Sequence, residues 1–241
     1  MKKEIRNSKE EIRKSIWDGM LEKGIAKHPL PPHNRIPNFH GAEKAAELLT
    51  KLEEWKNSEV LKINPDSPQM EVRYRALSEG KTVLMPTPRI KQGFLLIDPK
   101  KIPRSLYRKA STIKGAFELG KKVEIYEIPE VDFIVEGSVA VNEFGERIGK
   151  GEGYGELEFA ILLEIGKIEK DVPIATTVHE FQVLNIKFPQ DPYDVQIDYI
   201  VTPKRIIKVE KSKYRPNGII WELLSEKKIK EIPLLNKLIK N

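Results

Sequence analysis

The sequence predicts an α/β fold in three layers, with helices on both faces of a mostly parallel sheet, from three observations. Short apolar runs of strand length alternate along the chain with longer segments of helical periodicity. Glycine and proline mostly stand at the junctions between these segments. The order is strand, helix, strand, repeated, which favours parallel strands, right-handed crossovers and helices covering both faces of the sheet. The chain has 241 residues, no internal repeat and no low-complexity linker, so one domain spanning 1–241 is the expected division.

Taken in order, Ser8-Lys9-Glu10-Glu11 has the form of a capping box, and Ile12, Ile16 and Met20 then recur at helical spacing until Gly24. Lys9 and Arg13 lie four apart and share one face of that helix, the usual pattern of a solvated surface. Residues 27–37 carry Pro29, Pro31, Pro32 and Pro37 and are expected to be extended. His28, His33 and His40 fall in or beside this stretch, but three histidines on a proline-rich loop without nearby acids make a poor metal site. A second helix follows, with Ala42, Ala45, Ala46, Leu48, Leu49, Leu52 and Trp55 on its inner side. Residues 60–63 form a short strand, 64–68 a turn, and a helix of about ten residues runs from Met70 to Gly80. Strands are expected at 82–86 and 94–97, a helix over 105–119, and a buried strand or two over 131–141. After a helix from about Tyr154 to Gly166 come a strand at 173–178, a proline turn bearing Asp191, Asp194 and Asp198, and a strand from 199 toward 207. The tail from about 221 to 239 is amphipathic and is expected to pack on the sheet.

The stretch that carries function runs from Gly145 to Gly155. Gly149, Gly151, Gly153 and Gly155 stand at alternate positions, with Arg147 and Lys150 among them, between an apolar run and a helix. Glycine permits close backbone approach, so such a loop can turn several N–H groups toward one anion beside a helix N-terminus. The spacing is not that of a Walker A loop, because Gly145 and Gly149 have one residue too few between them and Gly151 stands where a magnesium-binding Ser or Thr belongs. Nor is it a dinucleotide fingerprint, since Gly151, Gly153 and Gly155 give G-x-G-x-G. No G-x-S-x-G elbow is present, and the absence of cysteine excludes disulfides, thiol catalysis and cysteine zinc sites.

Gly145-Glu146-Arg147-Ile148-Gly149-Lys150-Gly151-Glu152-Gly153-Tyr154 resembles the segment G-x-R-L-G-[RK]-G-x-G-Y-Y-D-R of the 5-formyltetrahydrofolate cyclo-ligase family, also called methenyltetrahydrofolate synthetases. Lys9-Glu10-Glu11-Ile12-Arg13 is similar to that family's K-x-x-L-R, and 194–198 with 200–203 to its D-V-P-L-D turn and V-T-[EP] strand end. Gly80-Lys81-Thr82-Val83 matches its G-K strand start, so the resemblance covers about 9–209. Arg35 to Gly41, Trp221 and the tail look like the branch named for a methenyltetrahydrofolate synthetase domain. The resemblance implies a fold like the NagB/RpiA/CoA-transferase group. It also implies a reaction in which ATP phosphorylates the formyl oxygen of 5-formyltetrahydrofolate or a related reduced pterin. The neighbouring amine then closes the ring, and ADP and phosphate are released with the 5,10-methenyl product. It implies ATP contacts at Lys9, Arg13, Arg147, Ile148, Gly149, Lys150, Gly151, Glu152, Gly153 and Tyr154, with Arg147 and Lys150 acting on the transferred phosphoryl group. Tyr154 and Glu71 are the expected pterin contacts, and Glu156 and Asp194 the expected ligands of Mg2+. The chain departs from the family at Gly155, Glu156 and Leu157, where a tyrosine, an aspartate and an arginine are expected, and at 65–71, where Asp66-Ser67-Pro68-Gln69 stands in place of a folate-contacting glutamate.

Composition adds coarse bounds. A net charge of +6 suits anionic ligands, yet no block of Lys/Arg is interleaved with aromatics, so it speaks only weakly for nucleic acid. The alternative reading is a non-catalytic nucleotide- or RNA-binding module on the same fold. No apolar run approaches a membrane span, and a cytoplasmic location is expected. Abundant Lys, Glu and Ile without Cys fits a heat-adapted, thermophilic source.

Overall fold

The computed structural model describes residues 2–210 and 214–239, with side chains from residue 8 onward. Its main sheet has eight strands: β1 (Val60–Ile63), β2 (Thr82–Pro86), β3 (Phe94–Ile97), β4 (Lys121–Val123), β5 (Phe133–Glu136), β6 (Ile174–Thr177), β7 (Tyr199–Val201) and β8 (Ile206–Lys208). Their spatial order is β8-β7-β6-β5-β1-β2-β3-β4. The five central strands, β7, β6, β5, β1 and β2, are mutually parallel. The flanking strands β8, β3 and β4 pair antiparallel.

Side chains alternate between the two faces and build two cores. Leu84, Ile134, Ile174 and Ile200 point to one face, against Leu157, Phe159 and Ile161 of the helix Tyr154–Glu164 and against Ile232, Leu234 and Leu235 of the tail. Val83, Met85, Phe133, Val135, Ala175 and Val201 point to the other, against Ala46 and Leu49 of the helix Ala42–Leu49 and Val72, Ala76 and Leu77 of the helix Met70–Ser78. The predicted three layers are therefore present. Because both faces are covered, these strands read as continuous apolar runs.

A third cluster forms where the N-terminal helix, Lys2–Glu22, lays Ile16, Trp17 and Met20 on Val139, Ala140 and Ile148. Val139 leads into a small three-stranded sheet made of Ala140–Asn142, Arg147–Ile148 and Val183–Leu184, in which the first two pair antiparallel and the first and third parallel. This packing carries Arg13 and Lys9, one and two turns before Trp17 on the same helix face, toward the glycine loop that follows Ile148.

Several expectations are corrected. The Ser8 to Glu11 box lies inside the helix, which starts six residues before Ser8. The second helix stops at Leu49, and Trp55 sits in a separate turn, Glu53–Lys56. The helix expected over 105–119 is broken into Tyr107–Ala110 and Ile113–Leu119 by Ser111 and Thr112, with Thr112 capping the second piece through Gly115 N. Strand β3 returns antiparallel, since 87–93 is too short for the dozen or more residues of a parallel crossover. Among the described residues no helix is long and apolar enough to cross a membrane.

Candidate active site

The parallel strands end on one edge, where a cleft of about 510 Å³ opens. Most of its wall comes from four places: the proline-rich segment (Pro29, His33 to Ile36), the turn after β1 (Asn64 to Ser67), the turn after β2 (Thr87 to Arg89), and the glycine loop from Gly149 to Glu156; Gly137, Arg147 and Glu158 add to it. Ligands of parallel α/β sheets bind at this edge because the connecting loops diverge there.

The loop is built for close approach. Gly153 has φ +67 and caps the helix Tyr154–Glu164, and a Cβ there would also meet Lys228. Gly155 stands where the resembled family carries a second aromatic. A Cβ added at Gly155 would lie 2.7 Å from Glu136 Oε2, so the chain's own carboxylate occupies the space a side chain needs.

Arg147 is buried on its strand, donates to the Gly137 carbonyl at 2.7 Å and pairs with Glu156. Burial opposes its charge, but Glu156 and Glu136 outweigh that and hold its pKa raised. Its Nε is buried and has no hydrogen-bond partner among the described residues. Lys150 lies 3.0 Å from Glu152 and faces Asp66; burial again opposes the cation, and these acids keep its pKa raised.

Lys9 and Arg13 do not form a solvated face. Both are buried. Lys9 Nζ holds Asp194 at 2.6 Å and Asp191 at 2.8 Å, and Arg13 Nε donates to the Gly149 carbonyl at 2.8 Å. The structure thus brings Lys9, Arg13, Arg147, Lys150, Glu156 and Asp194 around one loop. Ile148 is the exception among the loop positions, since its side chain is buried in the core under the N-terminal helix. Asp194's pKa is raised, burial outweighing Lys9, with Glu156 adding to the rise. Asp191 shares the Lys9 ammonium with Asp194, yet no three acids or histidines among the described residues are grouped so as to hold a metal by themselves, which fits a cation that arrives with phosphate oxygens.

Glu71 is placed elsewhere. Its carboxylate pairs with Arg108, and it does not line the cleft. The helix Met70–Ser78 starts at Met70, which turns Glu71 away and leaves Asp66 as the acid on the wall. Arg73 fixes that turn: fully buried, it donates to the carbonyls of Asn64, Pro65, Asp66 and Ser111, and burial lowers its pKa to about 10. Asp66 and Arg73 were missed from sequence because nothing local distinguishes a turn aspartate from a ligand-facing one.

Also missed was an ion cluster beneath the cleft. Lys62 on β1 is completely buried and lies 2.6 Å from Glu136, 2.5 Å from Glu158 and 2.9 Å from Asn64 Oδ1. Glu158 reaches the cleft wall, and burial pushes its pKa up to about 7 against the pull of Lys62. Glu136 stays low because Lys62 and Arg147 outweigh its burial. The signal available was a single charge within each apolar run, Lys62 in 60–63 and Glu136 in 133–136.

Asp66 yields a pH prediction. Burial raises its pKa above the ordinary 3.8, so the folded protein keeps a proton that the unfolded chain releases first. Stability contributed by this group is present below about pH 3.8 and falls as pH rises through the folded value. Asp66→Asn should lack that fall. Urea denaturation at pH 4 and pH 7 measures it, and an identical pH dependence in the two proteins would refute the assignment.

The model of the 5-formyltetrahydrofolate cyclo-ligase family matches residues 5–203. The chain is similar to the methenyltetrahydrofolate synthase domain-containing proteins of Mus musculus (40% identity over 236 residues) and Bos taurus (39% over 236). These alignments cover 96% of the chain but only 63% and 62% of the relatives, so the chain spans less than two thirds of their length. A solved structure, the 5,10-methenyltetrahydrofolate synthetase of Aquifex aeolicus, shares the fold with TM-score 0.54 and 22% identity, over 86% of this chain and 95% of that one.

Proposed function

The chain belongs to the 5-formyltetrahydrofolate cyclo-ligase family, and from that membership we propose that it closes 5-formyltetrahydrofolate, or a related reduced pterin, to the 5,10-methenyl compound at the expense of ATP, releasing ADP and phosphate. The observation that carries this reading is the loop from Gly149 to Glu156, which forms a wall of the 510 Å³ cleft and also of a second cleft of about 420 Å³ on its other side. A reaction that joins two substrates at one phosphoryl group needs two such spaces with a shared, cationic boundary.

Within that reading the pterin occupies the larger cleft. Asp66 and Glu158 are its acidic wall, and a carboxylate can accept two N–H bonds from the amino-pyrimidine edge of a pterin. Tyr154 lines the same cleft and offers a ring face. The triphosphate lies along the loop, where Arg147, Lys150 and the backbone amides stabilise charge developing on the transferred group. Asp194 and Glu156, paired here with Lys9 and Arg147, are the residues that would hold magnesium, and Lys9 and Arg147 would then face the phosphate oxygens. Bound magnesium would supply further neutralisation of the phosphoryl oxygens. No side-chain nucleophile is required, consistent with a chain that has no cysteine.

Incubating the pure protein with ATP, magnesium and 5-formyltetrahydrofolate should give the near-ultraviolet absorbance of the methenyl product. No product at high protein concentration would overturn the reading.

A further inference from the structure

The second cleft lies between the helix Tyr154–Glu164 and the segment after residue 214, beyond the residues that the family model matches. Part of its wall is apolar, with Leu157 and Ala160 on the helix and Ile219, Ile220, Leu223 and Leu224 on the later segment; Glu156 and Asp191 also line it, and these acids are paired with Arg147 and Lys9. At one end it meets Gly151, Glu152 and Gly153, and there Lys228 enters from the helix Glu226–Glu231. Lys228 Nζ donates to the Glu152 carbonyl at 2.6 Å and stands 4.6 Å from the centre of the Tyr154 ring. An ammonium has three donors, so this backbone bond leaves others for a ligand on the loop. The tail is anchored independently of the site, since Ile232 and Leu235 are fully buried in the core. The cation is therefore carried on a fixed support.

A cleft that joins an apolar stretch to a glycine loop and a half-buried cation has the form of a site for an aromatic base joined to phosphates. The volume of about 420 Å³ is within the range of small-molecule sites. Resting on the ATP dependence proposed above, we propose that the C-terminal segment is the outer wall of the nucleotide site, with the base in the slot beside Leu223 and Lys228 on the phosphates. Both substrates of the reaction then reach the loop from opposite sides. Specificity for the nucleotide would come from residues outside the stretch matched by the family model.

Calorimetric titration without pterin tests this, using ATP and inorganic tripolyphosphate as separate probes. Lys228→Ala should weaken both about tenfold, and Lys228→Arg should restore both, because the phosphate contact is electrostatic. Leu223→Asp places a charge on the exposed rim of the slot; it should weaken ATP about tenfold and leave tripolyphosphate unchanged, since only the base touches that wall. Unchanged melting temperatures exclude a folding defect at either position. Wild-type affinity for ATP in both Lys228→Ala and Leu223→Asp would overturn the inference, as would equal losses of ATP and tripolyphosphate in Leu223→Asp. A wild-type protein that binds ATP with these sensitivities but forms no methenyl product would leave this inference standing and overturn the cyclo-ligase reading. A wild-type protein that binds neither probe would overturn both.

Discussion

Replacing Lys62 with Met is expected to lower folding stability by about 3–5 kcal/mol, the cost typical of removing one partner from a buried ion pair. Lys62 is completely buried between two carboxylates, Glu136 at 2.6 Å and Glu158 at 2.5 Å. Methionine fills similar volume, so the loss is electrostatic rather than a cavity. Two acids would then face each other without a cation between them, while Arg147 is already engaged with Glu156. Urea denaturation at neutral pH measures the effect. Adding Glu136→Gln to Lys62→Met should recover part of the loss, because it removes one of the stranded charges; the interaction energy of that cycle reports the pair itself. A loss below about 1 kcal/mol for Lys62→Met would mean that protonation or water satisfies the acids without the lysine.

The cluster also shows how far the sequence could be read. The central strands were legible because both faces of a parallel sheet are covered, so 82–86 and 133–136 each carry three consecutive apolar residues and 174–177 is entirely buried. Strand β4 was not, since its first two residues are exposed lysines at the sheet edge. The glycine loop was legible through its spacing. Its neighbours Lys9 and Arg13 were read as a pair but not as buried, because burial here depends on Asp191, Asp194 and the Gly149 carbonyl, far along the chain. Glu71 was chosen over Asp66 on proximity to a family position, whereas the actual wall is decided by where the helix Met70–Ser78 begins and by the carbonyls that Arg73 gathers. Lys228 lay beyond any motif. Nothing local in an amphipathic tail says which lysine returns to a loop 76 residues earlier, and only the tertiary contact at 2.6 Å reveals it.

Lys150→Ala should reduce kcat by about 10²–10³, the loss typical of removing one group that stabilises transition-state charge, while leaving the melting temperature close to that of the parent. Lys150 sits on the loop with its side chain one-third exposed, and its pairing with Glu152 is shared, because Arg89 holds the same carboxylate at 2.7 Å. Removing it leaves Glu152 paired with Arg89 and takes from Asp66 only a through-space attraction, which Arg73 also supplies. Its raised pKa keeps it cationic through the neutral range, so the loss should not be relieved by lowering the pH. Arg147→Ala supplies the contrast: it should lose activity and stability together, because the Gly137 carbonyl and Glu156 both lose their donor in a buried setting. If the phosphoryl group is stabilised by the loop cation, Lys150→Ala should show its effect in kcat with the KM for the pterin little changed, since the pterin side of the cleft is walled by Asp66, Glu158 and Tyr154. A variant that turns over at the parental rate would remove Lys150 from the chemistry and leave the phosphoryl transfer to Arg147 and the loop amides.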